Sequence, residues 1–296
     1  MRDQVFTLPA LRTAYAAGAR PRDIIDAVLD RIAAADDPGI FIHCDPSTAF
    51  AAADALDPYD PARPLWGMPF AVKDNIDVAG MPTTAACPAF AYTPVEDAVV
   101  VARLRAAGAI PIGKTNLDQF ATGLVGVRTP YPVPRNPLDP ALVPGGSSSG
   151  SAVAVARGIV PFALGTDTAG SGRVPAALNN IVGLKPTLGA ISNRGVVPAC
   201  RTLDTVSVFA LTIADTLTVL ETAAAYDAAD PFSKRLPPLR AAVPSGLKIG
   251  VPGPDGLAPC EPAAVEAFRA AVADLQAAGA PPHAGAAGAW RTDQRR

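Results

Sequence analysis

Residues 69–73 read Pro-Phe-Ala-Val-Lys, and residues 97–112 read Asp-Ala-Val-Val-Val-Ala-Arg-Leu-Arg-Ala-Ala-Gly-Ala-Ile-Pro-Ile. The first run is continuously apolar until Lys73, the pattern of a strand buried on both faces. The second opens on Asp97, expected to cap a helix over Ala98–Ala107 that stops at Gly108, after which Ile110–Ile112 reads as the next strand. Strand, helix and strand in that order point to an α/β fold.

The same alternation extends in both directions. Arg20–Asp36 reads as a helix, with Pro21 in its first turn and Ile24, Ile25, Val28, Leu29 and Ile32 at helical spacing. Ile40–His43 reads as a short strand, Ser47 or Thr48 as the cap of a helix through Leu56, and Asp57–Pro64 as a Pro-rich connector. A long Pro-rich loop, Thr129–Pro144, contains Tyr131 and leads into a Gly/Ser run. Beyond it come a helix over Gly150–Arg157, an apolar strand over Ile159–Gly165, a Gly-bearing turn over Thr166–Gly172 and a helix start over Pro175–Asn180. Val206–Leu211 and Leu247–Val251 read as strands, and Asp215–Tyr226 and Glu261–Ala278 as amphipathic helices. Val265, Phe268, Val272 and Leu275 share one face of the last. From 281 to 296 the periodicity is lost and few apolar residues remain, so an irregular tail is expected there, disordered or read out of frame, behind a domain over 1–280.

Composition narrows the function. The chain has 296 residues, 49 % of them hydrophobic and 18 % charged, which allows a sizeable core and excludes a disordered chain. A formal charge of −2 offers no basic footprint for nucleic acid. There is no run of 18 apolar residues for a membrane span, and the start does not lead into a signal-peptide hydrophobic region, so a cytoplasmic protein is expected. Cys44, Cys87, Cys200 and Cys260 are scattered, without a Cys-x-x-Cys, and read as reduced thiols. With only two histidines, His43 and His283, a zinc site is not expected.

The chemistry concentrates in three places. Residues 144–151 read Pro-Gly-Gly-Ser-Ser-Ser-Gly-Ser, residues 167–173 read Asp-Thr-Ala-Gly-Ser-Gly-Arg, and Lys73 closes an apolar strand beside Asp74 and Asn75. A hydroxyl nucleophile needs a group to take its proton. Neither histidine has a triad context, and a lysine is the natural substitute, as in Ser-Lys variants of the triad. An isolated lysine is usually a solvated surface charge. One that follows an apolar strand is desolvated, its pKa falls, and it can serve as a neutral base. A Gly-Ser-Gly by itself is an ordinary loop. Placed between a strand and a helix, however, the backbone N–H groups of Thr168, Ala169, Gly170 and Ser171 can converge as an oxyanion hole. The Gly/Ser run lacks the Gly-Lys-Ser/Thr ending of a phosphate-binding loop, and no Gly-x-Gly-x-x-Gly follows a strand.

Trp66-Gly-Met-Pro-Phe-Ala-Val-Lys-Asp-Asn, Gly113-Lys-Thr-Asn-Leu-Asp-Gln-Phe, Gly145-Gly-Ser-Ser-Ser-Gly-Ser, Gly165-Thr-Asp-Thr-Ala-Gly-Ser-Gly-Arg and Val182-Gly-Leu-Lys-Pro-Thr occur in that order. Together they resemble the amidase signature family, over roughly Trp66–Ala280. The resemblance implies a central mixed β-sheet flanked by helices on both faces, and a Ser–Ser–Lys triad with Ser171 as nucleophile, Ser147 as bridging serine and Lys73 as base. It also implies a cis peptide at Gly146–Ser147, a structural ion pair between Asp167 and Arg173, and no metal or cofactor.

Within the family, the text from Asp167 to Asn180 and from Gly195 to Thr212 looks like the allophanate hydrolase branch. The amidotransferase branch usually shows Gly-Gly-Ser-Ile-Arg where this chain has Ala-Gly-Ser-Gly-Arg. The allophanate branch implies a small anionic amide, allophanate, cleaved to ammonia and carbon dioxide in urea degradation, a functional link to a biotin-dependent urea carboxylase, and a homo-oligomer in full-length form. The in-family alternatives are a broad-range amidase and the A-type catalytic component of an amidotransferase. Family members carry a longer amidase domain, and in the allophanate hydrolase branch its later part holds a Tyr and an Arg that grip the substrate carboxylate. The sheet is therefore expected to be incomplete here, and the chain to be a C-terminally truncated fragment, with little activity or as the partner of a separately encoded half.

Overall fold

Lys73 closes a five-residue strand in the middle of a six-stranded sheet. The computed structural model describes residues 5–56, 58–237, 249–278 and 282–284. The chain divides into two compact units, 1–237 and 238–296.

In the first unit the elements run α1 (Leu8–Ala16), α2 (Pro21–Ala35), β1 (Phe41–Cys44), α3 (Pro46–Asp54), β2 (Pro69–Lys73), α4 (Val99–Ala106), β3 (Ile110–Thr115), α5 (Ser149–Ala156), β4 (Phe162–Asp167), α6 (Arg173–Leu178), β5 (Val182–Leu184), β6 (Thr205–Ala210) and α7 (Ile213–Ala223). The strand order is β1-β3-β2-β4-β6-β5. β2 lies parallel to both neighbours, β3 and β4, whereas β1 on β3 and β6 on β4 and β5 are antiparallel. The sheet is therefore mixed, with flanking helices. Every residue of β2, β3, β4 and β6 is buried, which is why these strands read as continuous runs rather than alternations. The edge strands β1 and β5 are half-buried throughout.

Phe70 and Phe162, opposed across β2 and β4, stack with centroids 5.1 Å apart. α5 packs over β2, β4 and β6. Its Gly150 N–H donates to Asn116 O at 3.0 Å, and a Cβ at Gly150 would collide with the backbone of Ile40 and Asn116. Only glycine lets the helix start so close to the segment that leaves β3.

The structure corrects several boundaries. The cap of α3 is Asp45, because Pro46 takes the first helical position; Ser47 and Thr48 donate their hydroxyls to the Asp45 carboxylate, both at 2.6 Å. Asp97 does not cap α4, whose N-cap is Ala98. Its carboxylate instead accepts from the Ala79 N–H at 2.8 Å and pairs with Arg105 at 3.1 Å. β3 runs on through Thr115 and β4 through Asp167, so Thr166 and Asp167 belong to the strand and the turn starts at Thr168. The turn is held in register because Thr166 and Asp167 pair with Val206 and Thr205 of β6. Sequence reading did not assign α1 or β5.

The second unit contains β7 (Ile249–Val251), α8 (Pro254–Leu257), α9 (Pro262–Ala277) and β8 (Pro282–Ala284), with β7 and β8 parallel. Three residues of the segment expected to be irregular thus form a strand. Pairing to β7 needs only backbone N–H and C=O groups, so it left no apolar alternation to read. The rest of 281–296, together with Leu247, Lys248 and Asp57, lies outside the described residues. On α9, Val265, Phe268 and Val272 are half-buried and Leu275 is exposed. Among the described residues, no helix is long and apolar enough to cross a membrane.

Because the Phe70–Phe162 stack lies fully buried at the sheet centre, Phe162→Ala should lower the unfolding free energy by about 3–5 kcal/mol in urea denaturation. A loss below about 1 kcal/mol would mean that the site collapses around the cavity and the stack is not a core element.

Candidate active site

The end of β2, the start of α5 and the turn after β4 converge, because β2 lies beside β4 and α5 packs over both. Lys73 is fully buried; its Nζ lies 2.7 Å from Ser147 Oγ and 2.8 Å from Thr166 Oγ1. Asn75 Nδ2 donates to the same Thr166 hydroxyl at 3.3 Å and to Val197 O at 3.2 Å. Burial strips water from the ammonium and pushes the Lys73 pKa from 10.5 down to about 7, against the opposing pull of Asp118, Asp167 and Asp204. Near pH 7 about half of the amine is therefore neutral, and the neutral form prevails above it. The 2.7 Å contact can then run from the Ser147 O–H to the nitrogen lone pair.

Ser147 follows a cis peptide at Gly146–Ser147. Asp118 holds this loop. Its N–H donates to Ser147 O at 3.0 Å, and its buried carboxylate accepts from the Gly126 N–H at 3.0 Å and the Arg128 N–H at 2.8 Å. A Cβ at Gly146 would overlap that carboxylate, so glycine is required there.

Ser171 is 3 % exposed on the turn after β4. Its Oγ donates to Gly123 O at 3.4 Å, and no hydrogen bond joins the Ser147 and Ser171 hydroxyls. The two loops are nevertheless tied, since the Ser148 N–H donates to Ser171 O at 3.3 Å. None of the N–H groups of Thr168, Ala169, Gly170 and Ser171 donates to a backbone acceptor among the described residues, which leaves them available to an oxygen of a bound molecule.

Asp167 and Arg173 brace the turn. The Asp167 carboxylate accepts from Arg173 Nε and NH2, both at 2.9 Å, and from the Gly172 and Arg173 N–H groups, both at 3.1 Å. Burial works to raise the Asp167 pKa, but these bonds together hold it below the usual carboxylate range. On the other side, Thr168 Oγ1 donates to Asp204 Oδ1 at 2.5 Å.

A buried ion pair lies next to the site. Lys114 Nζ is 3.1 Å from Asp74 Oδ1, both side chains fully buried, and Lys114 also donates to Thr83 Oγ1 at 2.8 Å. Burial lowers the Lys114 pKa and Asp74 opposes that shift. A groove of about 550 Å³ borders the site through Val197 and Asp204 but is lined by none of Lys73, Ser147 and Ser171. His43 is on β1, and all of the cysteines are free. Among the described residues no group of three or more His, Cys, Asp or Glu could hold a metal ion.

Sequence reading missed Thr166, Asn75, Asp118 and Asp204. The first three lie inside the quoted motifs, but their partners are 91 or more residues away for Thr166 and Asn75, so spacing carries no sign of them.

Residues 23–284 match the family model described as Amidase. Among similar proteins, urea amidolyase of Saccharomyces cerevisiae is 68 % identical over 152 residues, 51 % of this chain and 8 % of that protein. The A-type component of glutamyl-tRNA(Gln) amidotransferase from Chloroflexus aurantiacus is 42 % identical over 287 residues, 93 % of this chain and 59 % of that one. Among solved structures, allophanate hydrolase of Kluyveromyces lactis superposes with a TM-score of 0.86 at 42 % identity, covering 95 % of this chain and 47 % of that one. The chain thus spans less than two thirds of each relative's length.

Because the folded-state pKa of Lys73 is depressed, the unfolded chain binds more protons than the folded one between about pH 7 and 10.5, and stability should rise with pH across that window. Lys73→Met removes this dependence. Its stability relative to the parent should be greatest below pH 7 and should decline towards pH 10.5, followed as urea midpoints at several pH values. A difference constant across that range would show that Lys73 is not desolvated.

Proposed function

Because the chain belongs to the amidase family, we propose that it is a serine amidase working through Ser171, Ser147 and Lys73, and that its substrate is allophanate. The observation that carries the reading is the buried Lys73 amine, 2.7 Å from Ser147 and with its pKa pushed to about 7. It is a base poised at working pH, in a site whose hydrogen bonds involve no histidine among the described residues.

The neutral amine of Lys73 takes the Ser147 proton as Ser147 takes that of Ser171. Ser171 Oγ attacks the amide carbonyl, and the N–H groups from Thr168 to Ser171 receive the oxyanion. The relay then returns the proton to the departing nitrogen, which leaves as ammonia. Water deprotonated by the same relay attacks the acyl-enzyme and frees N-carboxycarbamate, which loses carbon dioxide to give carbamate; the carbamate then breaks down to the second ammonia and the second carbon dioxide. The Ser171–Gly123 contact must give way to a Ser171–Ser147 hydrogen bond in this step. Catalytic hydrogen bonds are often long or misaligned in the free enzyme. In this reading Asp167 and Arg173 fix the turn and do not react.

Allophanate is preferred over glutamine because the nucleophile turn reads Ala-Gly-Ser-Gly-Arg and because of the likeness to urea amidolyase and allophanate hydrolase. Its supply requires a reaction that carboxylates urea, the chemistry of a biotin-dependent urea carboxylase, and a cytoplasmic setting suits both. The likeness to the amidotransferase component keeps glutamine as the competing substrate. Ammonia release by the purified chain from allophanate, glutamine and simple amides decides between them. Higher kcat/KM for allophanate is expected, and a preference for glutamine or simple amides would remove the assignment.

Ser171→Ala should abolish acyl-enzyme formation, and Lys73→Met should lower kcat on the order of 10⁴-fold or more, with Ser147→Ala between them or close to Lys73→Met. Double substitutions should cost little more than the worse single one, because the three act as a unit. Retention of near-normal turnover by Ser171→Ala would reassign the nucleophile. The kcat/KM of the parent should rise through about pH 7 as Lys73 loses its proton, whereas a profile flat from about pH 5 to 9 would remove Lys73 as the base.

A further inference from the structure

Gly123 O stands beside the nucleophile. Among the described residues it accepts from Ser171 Oγ at 3.4 Å and from no backbone N–H. In the proposed relay Ser171 turns to Ser147, and the carbonyl of the half-buried Gly123 then loses its donor just as a substrate is attacked. The N–H groups from Thr168 to Ser171 are donors and suit the substrate's oxygen. An amide also brings nitrogen-bound hydrogens, and Gly123 O is an acceptor next to the reacting atoms.

The backbone that carries this carbonyl is strained and firmly held. Phe120 and Ala121 are both left-handed, with φ of 50° and 56°, a conformation that non-glycine residues keep only where their surroundings fix it. The Phe120 N–H donates to Ala85 O and the Ala121 N–H to Asp118 O, both at 2.9 Å, and the Thr122 N–H donates to Gln119 O at 3.1 Å. A Cβ at Gly123 would overlap the Asp118 carboxylate, as one at Gly146 would, so both loops press against the same group. The Gly146 N–H donates to Leu124 O at 2.9 Å, joining the neighbour of Ser147 to the neighbour of Gly123. A nitrogen on the carbon that Ser171 attacks can therefore face Gly123 O and the Ser147 hydroxyl together.

We propose that Gly123 O accepts an N–H of the scissile amide and makes the site select amides over esters. This rests on the serine amidase reading above and deepens it. Ser171 Oγ adds to the amide carbon, and the C=O electron pair moves onto the oxygen held by the turn's N–H groups. The nitrogen loses its conjugation, becomes pyramidal and gains a free lone pair. With one N–H fixed on Gly123 O, that lone pair is turned towards Ser147. It takes the proton that Ser171 gave up through Ser147, the C–N bond breaks with its electrons on nitrogen, and the amine leaves. An ester oxygen carries no hydrogen and offers a lone pair without turning, so it gains nothing from Gly123.

The test pairs malonamate with monomethyl malonate, which share an acyl group and differ in the leaving group, NH2 against OCH3. In the full chain, replacing Leu124 by its α-hydroxy acid turns the 123–124 peptide link into an ester. This weakens Gly123 O as an acceptor and keeps every side chain, and the Leu124 N–H that is lost donates to no backbone acceptor among the described residues. The kcat/KM for malonamate should fall roughly fivefold to tenfold, the worth of about one hydrogen bond, and that for monomethyl malonate should stay within about twofold. Equal losses on both would reduce the loop to a structural role, and unchanged malonamate kinetics would remove the contact; either overturns the proposal. Calorimetry in Ser171→Ala, with malonamide against dimethyl malonate, reads the contact without turnover. The backbone ester should weaken malonamide by a similar factor and leave dimethyl malonate within about twofold, and equal shifts or none would overturn the proposal. If the parent hydrolyses neither the malonate pair nor allophanate, the amidase reading falls, and this titration decides whether Gly123 O holds an amide. If the parent hydrolyses the pair and the ester-linked variant matches it on both, Gly123 fails and the amidase reading stands.

Discussion

The site depends on keeping one amine dry. Lys73 ends a strand flanked on both sides by parallel neighbours and covered by α5, so water does not reach its Nζ, and the hydroxyls of Ser147 and Thr166 are its polar company. A lysine in water would hold its proton until well above neutrality. Here the sheet itself, through burial, sets the lysine's proton affinity. One of the fold's fully buried strands supplies the site's amine, which is why the core and the site cannot be varied independently.

A dry base is useful only if both serine loops are held against it. Two carboxylates do this, each by gathering backbone N–H groups. Asp118 fixes the loop that carries Ser147, and Asp167, with Arg173, fixes the turn that carries Ser171. The Ser148 N–H then ties one loop to the other at Ser171 O. Between the Ser147 and Ser171 hydroxyls a gap remains. Of the two links in the proposed relay, Lys73 to Ser147 is preformed, and Ser147 to Ser171 forms when Ser171 leaves Gly123 O.

The parts legible in the sequence were those governed by local rules. β2 could be read to the residue because it is apolar from Pro69 to Val72 and is bounded by charge. β3 was read short, and β4 was read to start three residues early, at Ile159 instead of Phe162, and to stop two short, because the apolar run precedes the strand and both strands end on polar residues. Lys114, Thr115, Thr166 and Asp167 look like loop residues until their distant partners are known: Asp74 for Lys114, Ser151 for Thr115, Lys73 for Thr166 and the paired β6 residue Thr205 for Asp167. α1 shows its pattern only once folded, with Leu8, Leu11 and Tyr15 buried along one face. The caps of α3 and α4 went wrong because a proline outranked two hydroxyls and because Asp97 had a better use in pairing with Arg105. At the site, the motifs carried the identities of Lys73, Ser147 and Ser171. The supporting Thr166, Asp118 and Asp204 act through contacts that no spacing rule encodes.

The proposed chemistry turns on the protonation state of one nitrogen. The direct measurement is a pH titration of the lysine side-chain amine by NMR, on protein labelled in its lysines, with the Lys73 signal assigned by its loss in Lys73→Met. A midpoint near pH 7 is predicted for Lys73 in the folded protein, well below that of an exposed lysine. A Lys73 amine that stays protonated to about pH 9 or above would contradict this, since an ammonium cannot accept the Ser147 proton.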